Sequence, residues 1–114
     1  MSQTLTPLEL DLFGDLCRDD RQIWEVFDFV RLHHQPVSEQ EIFEQGRKFM
    51  MGWLQKGWIE IVDAKGKRDK MSPEKLAKFF EKTGIPLMTQ FDSTVWVEIA
   101  EKGEEVFNSS KSHA

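Results

Sequence analysis

The stretch Trp53-Leu54-Gln55-Lys56-Gly57-Trp58-Ile59-Glu60-Ile61-Val62 contains a change of period. Before Gly57 the apolar side chains Ile42, Phe49, Met50 and Trp53 recur at helical spacing, with Gly46 in the same stripe. After it, Ile59 and Ile61 alternate with Trp58 and Val62, as they do on the two faces of a strand. Glycine is the residue that most readily takes the left-handed conformation closing a helix, so Gly57 predicts the boundary. Because apolar side chains run across this boundary, the helix and the strand must share one core.

Working outward, Ser38-Glu39-Gln40-Glu41 reads as the capping box that opens this helix. Gly46 is its one candidate for a tight break. Upstream, Gln35-Pro36-Val37 closes a helix of roughly residues 21–34, because a residue preceding proline avoids the helical region. That helix carries Ile23, Trp24, Val26, Phe27, Phe29 and Val30 around most of its circumference, which predicts a central, covered position. Thr6-Pro7-Leu8-Glu9 starts the first helix with a cap, a proline at the first helical position and a capping-box glutamate. Leu8, Leu12 and Leu16 form its stripe, with Phe13 and Cys17 beside them.

Downstream, residues 64–70 read as a polar loop and Ser72-Pro73 as the start of a helix over 73–83 with Leu76, Phe79 and Phe80 inward. A connection over 85–93 leads to a second strand, Thr94 to Ala100, in which Val95, Val97 and Ile99 alternate with Trp96 and Glu98. Residues 102–107 form a short closing helix, and residues 108–114 a frayed, disordered tail. The expected fold is therefore α+β, a single domain over residues 1–107, with about three N-terminal helices and two antiparallel strands enclosing an inserted helix.

A chain of 114 residues can bury about two-thirds of its unfolded surface in one core. No run of eighteen apolar residues spans a membrane, and the N-terminus lacks the basic and apolar stretches of a secretory signal. The one cysteine, Cys17, has no internal partner for a disulfide, which suits a cytoplasmic setting; its place on the first stripe predicts a buried, inert thiol. The net charge of −5 is unevenly spread. Residues 1–28 hold seven acids against Arg18 and Arg21, a balance of −5, whereas residues 64–82 hold seven bases against three acids, a balance of +4.

Three helices followed by two strands is the order of a winged helix. Trp53-x-x-x-Gly57-Trp58-Ile59 resembles the apolar-x-x-x-Gly-Leu-Ile junction where the recognition helix of many winged-helix regulators runs into the wing. Ile99-Ala100-Glu101-Lys102-Gly103 resembles the apolar-Thr-x-x-Gly turn after the second wing strand, with Ala100 in place of threonine. The resemblance covers most of residues 21–107. It implies a winged helix-turn-helix with a helix inserted in a two-stranded wing, and a DNA-binding regulator that reads with Arg47, Lys48, Gln55 and Lys56 while Lys65, Lys67 and Arg68 touch phosphate. The chain departs from this pattern at the reading helix. Between Ser38 and Gly57 there is no polar turn with a fresh N-cap, and Glu39, Glu41 and Glu44 offset the basic residues.

An acidic face predicts a different partner. Asp11, Asp15, Asp19, Asp20, Glu25 and Asp28 can steer the chain towards a basic protein such as a toxin or nuclease, and in size and charge the chain resembles the immunity proteins of bacterial toxin systems. Trp58 and Trp96, opposite Ile59 and Val97, are then the side chains expected to be covered by a partner or a second copy if one sheet face is open. His33 and His34 are adjacent, so on a helix they diverge by about 100° and do not chelate together. No glycine-rich phosphate loop, zinc spacing or calcium loop is present, and no carboxylate pair is singled out for acid–base work. The sequence thus predicts a non-enzymatic binding protein without cofactor or metal, acting first on a protein partner and alternatively on DNA.

Overall fold

Thr6 opens the first helix, α1 (Pro7–Leu16), through a reciprocal capping box: its hydroxyl accepts from the Glu9 amide at 3.2 Å, and Glu9 Oε1 accepts from the Thr6 amide at 2.9 Å. The other carboxylate oxygen of Glu9 accepts the indole N–H of Trp53 at 2.6 Å, inside the protein. One side chain therefore caps α1 and ties it to α3 (Glu39–Lys56), with the buried charge held by two donors. These positions come from a computed structural model, which describes residues 5–33, 38–65, 69–89 and 94–111.

The remaining elements are β1 (Arg21–Gln22), α2 (Ile23–His33), β2 (Ile59–Asp63), β3 (Asp69–Lys70), α4 (Pro73–Thr83), a 3₁₀ turn at Ile85–Thr89, β4 (Val95–Ile99) and α5 (Glu101–Lys111). The protein is α+β: among the described residues there are five helices and a four-stranded antiparallel sheet of order β1-β4-β2-β3. Pairing of Ile61 with Val97 puts Ile59, Ile61, Val95 and Val97 on the buried face. The opposite face carries a row of Gln22, Trp96, Val62 and Lys70, one residue from each strand.

The two outer strands were not visible in the sequence pattern. Arg21 and Gln22 read as the first turn of a helix and Asp69-Lys70 as loop, since both pairs are polar and too short to alternate. Pairing to β4 and β2 makes them strands, so tertiary context overrides propensity. The second helix consequently begins at Ile23, with Glu25 reaching back to accept the Gln22 amide at 2.7 Å. The last helix also differs from expectation: it starts at Glu101 and continues to Lys111, through four residues read as tail. Cys17 is another correction. It is the C-cap of α1, and its thiol is exposed because the helix ends there and the stripe finishes at Leu16.

At Gly57 the expected break in period is a Schellman turn. Gly57 has φ 76° and closes α3, its amide donating to Leu54 O at 3.1 Å, while Trp58 N donates to Trp53 O at 2.9 Å. Trp53 and Trp58 both present edges to Phe13, with centroids 5.3 and 6.1 Å away. A second aromatic group joins three helices: Phe27 of α2 stacks on Phe43 of α3 at 5.8 Å, and Phe80 of α4 meets Phe43 edge-on at 6.0 Å. Gly46 does not break α3. It faces Phe27 of α2, and a Cβ there would lie 2.5 Å from two ring carbons of Phe27.

Two glycines of α3 give a paired prediction. Gly46→Ala forces a methyl against the fully buried Phe27 ring and destabilises by about 1–3 kcal/mol, the usual cost of overpacking. Gly52 has nothing within 4 Å of its added Cβ, so Gly52→Ala stabilises by about 0.5–1 kcal/mol through helix propensity and a less flexible unfolded chain. Urea denaturation of both variants checks the opposite signs.

Candidate functional site: a lysine-rimmed groove

Asp63 ends β2 and turns the chain. Its Oδ1 accepts the Lys65 amide at 3.0 Å and the Thr94 hydroxyl at 2.9 Å, so its charge is engaged in holding the turn. The chain returns as β3, and the Met71 amide donates to Ile61 O at 2.7 Å, extending the hairpin to the start of α4. Ser72 caps that helix by accepting from the Lys75 amide at 3.2 Å, with Pro73 in the first helical position. Hairpin and helix are thereby fixed to each other within a few residues.

The core stripe of α4 is Leu76 and Phe80, both buried. Lys75, Lys78 and Lys82, spaced by three and four residues, share another face and are exposed. Between that face and the hairpin lies a cleft of about 330 Å³ lined by Asp63, Lys65, Asp69, Lys70, Met71, Lys75, Lys78, Phe79 and Lys82. Five lysines thus meet two aspartates, one of which holds the turn. Lys70 also reaches Glu60 at 3.2 Å across the hairpin. Phe79 is half-buried with Met71 near it in the lining, so the cleft has an apolar floor under a cationic rim. Such an arrangement suits an anionic ligand that also has apolar surface.

Of the residues expected on phosphate, Lys65 is in this cleft, and Lys67 and Arg68 lie outside the described residues. Lys70 ends the basic run Lys65 to Lys70 that the chain itself marks as a nucleic-acid contact, whereas Lys75, Lys78 and Lys82 count in the basic segment without being singled out. Their helical spacing opposite the Leu76–Phe80 stripe is the signal that would have found them.

The expected reading face of α3 is more engaged. Arg47 pairs with Glu44 at 2.6 Å, and the Lys56 ammonium sits 4.4 Å from the centre of the Trp58 ring, a cation–π contact. Lys48 and Gln55 are exposed. Lys48 lines a second cleft of about 330 Å³ with Glu44, Gln45, Arg47, Met51 and Ala77, between α3 and α4.

The acidic face is largely bound within the molecule. Asp15 meets Arg21 at 2.6 Å, and Glu25 lies 3.6 Å from the same guanidinium. The Asp15 contact raises the Arg21 pKa above its ordinary value, chiefly by hydrogen bonding to the charged form. Asp28 meets Arg31 at 2.7 Å, and Asp11 meets His33 at 2.9 Å. Asp19 and Asp20 occupy the turn between α1 and β1, where Asp19 accepts the Asp20 amide at 2.9 Å. Three of the six carboxylates therefore contact arginines of α2 or of the β1 segment beside it, and a fourth, Asp11, contacts His33.

Trp58 is a core side chain and not part of an open sheet face. It precedes β2 and so escapes the pleat, and the turn at Gly57 swings it onto Phe13, leaving it 4% exposed. Trp96 is half-buried on the outer sheet face, paired with Val62 and Gln22.

Replacing Arg21 with alanine leaves Asp15 and Glu25 facing each other without their cation. The loss is about 0.5–1 kcal/mol at low salt, because the groups are partly exposed, and it shrinks at about 1 M salt. Urea midpoints at the two salt concentrations measure it. Among the described residues no helix is long and apolar enough to cross a membrane. Comparison of the chain with protein-family models, curated proteins and solved structures returned no match.

Proposed function

We propose that the chain is a non-enzymatic, cytoplasmic binding domain of winged-helix type, and that its working surface takes the phosphate backbone of nucleic acid. Three features support the winged-helix reading: three helices precede the central strands, α3 passes through Gly57 directly into β2, and β2 pairs antiparallel with β4. The inserted α4 and the added strand β3 distinguish this wing from a simple hairpin.

The observation that carries the proposal is the convergence of Lys65, Lys70, Lys75, Lys78 and Lys82 on one cleft. Binding to a polyanion releases condensed counterions, so a cluster of this kind gains affinity from entropy and loses it steeply with salt. The acidic surface of α1 and α2 is a weaker candidate for steering, since four of its carboxylates already contact Arg21, Arg31 or His33. Nucleic-acid binding is therefore preferred here over a protein inhibitor, the reverse of the order that the residue pattern alone supports.

One observation keeps the protein-binding reading. Leu32 is 78% exposed and Leu10 36% exposed, and each adjoins a member of the Asp11–His33 contact in sequence. Apolar side chains beside carboxylates suit a basic protein partner, a toxin or nuclease inhibited by this chain being the sharpest form. A second copy of the chain is the simplest other occupant.

Nucleic-acid titrations at low and moderate salt separate the two. The native chain binds with a steep salt slope. The triple variant Lys75→Gln, Lys78→Gln, Lys82→Gln, all at exposed positions, binds roughly tenfold or more weakly and shows a slope smaller by about three. No binding to nucleic acid even at low salt, together with co-purification of a basic protein lost on Leu32→Asp, would establish the protein-binding reading instead.

A further inference from the structure

We propose that the groove selects single-stranded over duplex nucleic acid, with the Phe79 ring as the platform on which one base stacks. This inference rests on the polyanion reading of the groove and adds the class of strand.

The argument begins with what phosphate does not need. A phosphate group is satisfied by the lysine rim and gains nothing from an apolar floor, yet the cleft has one in Phe79 and Met71. Phe79 is on the same helix as Phe80, which is buried in the aromatic contact with Phe43. Only the Phe80 ring is needed to anchor α4 in that core. The Phe79 ring, 6.0 Å from Phe80 and tilted by 51°, remains half-exposed into the cleft. An aromatic face surrounded by cations recognises a ligand that is flat and apolar on one part and anionic on another. A nucleotide unit has both properties.

The shape of the site separates the two kinds of strand. The lysines and the ring line a concavity of about 330 Å³ between the hairpin and α4, at the small end of the roughly 300–1,000 Å³ range of ligand clefts. A duplex presents a convex surface whose bases are stacked inside, so it can touch the lysine rim but cannot bring a base to Phe79. An unpaired strand can turn one base into the cleft while Lys75, Lys78 and Lys82, spread over two turns of α4, track the phosphates on either side. Stacking of this kind tolerates any base, because every base has a π face. The predicted preference is therefore for strand type and not for sequence.

The test uses the full chain with three oligonucleotides of equal length: a single strand, the corresponding duplex, and a strand with abasic sites in place of its nucleosides. The abasic strand keeps the backbone charge and removes only the stacking partner. Binding of the single strand roughly tenfold or more tighter than the abasic strand and the duplex supports the inference. Phe79→Leu, which keeps an apolar side chain in place, then narrows the gap without changing the salt slope. Equal binding of all three overturns the single-strand inference and leaves the polyanion reading standing. Failure of all three to bind at low salt overturns both. The abasic comparison needs no variant, so the outcome does not depend on whether Phe79→Leu folds.

Discussion

The left-handed turn at Gly57 is the constraint from which the other placements follow. A helix leaves its last carbonyls without partners, and here the Gly57 and Trp58 amides supply two of them within two residues. The reversal brings Trp53 and Trp58 onto the same ring of Phe13, so the cap also closes a hydrophobic contact. A side chain at Gly57 would raise the energy of the φ 76° conformation by about 1 kcal/mol or more. The same junction is recognised from the other end of the chain. The Trp58 carbonyl accepts the Ala100 amide at 2.9 Å, and a Cβ on Gly103 would lie only 2.1 Å from that oxygen. The glycine of the turn after β4 is thus required by the backbone of Trp58, and α5 can dock only because that position carries no side chain.

From this junction β2 becomes one of the two inner strands of the sheet, paired on one side with β4 and on the other with β3. Its partner Met71 is fixed by a backbone bond to Ile61, and α4 begins two residues later. Short connections of this kind leave α4 little freedom in where it starts, and Leu76 and Phe80 then fix its rotation by entering the core. The angular position of Lys75, Lys78 and Lys82 is a consequence of that rotation. Helix α4 owes its place to Phe80, and the groove owes its cations to the face that Phe80 leaves outward.

How much of this was legible depended on whether local pattern or long-range pairing decided the element. The caps at Thr6, Ser38 and Ser72, the turn at Gly57 and the two central strands have strong local signals, and each lies within a residue or two of where the pattern places it. Arg21-Gln22 and Asp69-Lys70 have no such signal; they are strands only because β4 and β2 offer them backbone partners. The same division holds for the site. The excess of lysine over residues 64–82 is visible in the chain itself, whereas the cleft depends on how far the hairpin stands from α4, which no spacing encodes. Trp58 illustrates the limit from the other side: alternation puts it on the outer sheet face, but a residue one position before the strand obeys the turn that precedes it.

Charge is where reading the chain and reading the fold diverge most. A segment balance of −5 over residues 1–28 treats its carboxylates as a field available to a partner. In the folded chain Arg21 sits between Asp15 and Glu25, Arg31 bridges Asp28 and Glu39, and Asp11 faces His33, so these carboxylates are held in local contacts. Ion pairs of this exposure add little to stability, and since Arg21 is already counted in that balance they fix where the carboxylates sit without removing the segment's net negative charge. The basic segment is arranged differently. Of the two aspartates in its cleft, Asp63 is held by the Lys65 amide and the Thr94 hydroxyl, while five lysines line the same volume, Lys70 with its ammonium on Glu60. A net negative protein can therefore carry a local cluster of positive charge, and it is that cluster beside the apolar part of the cleft, not the total charge, that bears on what docks there.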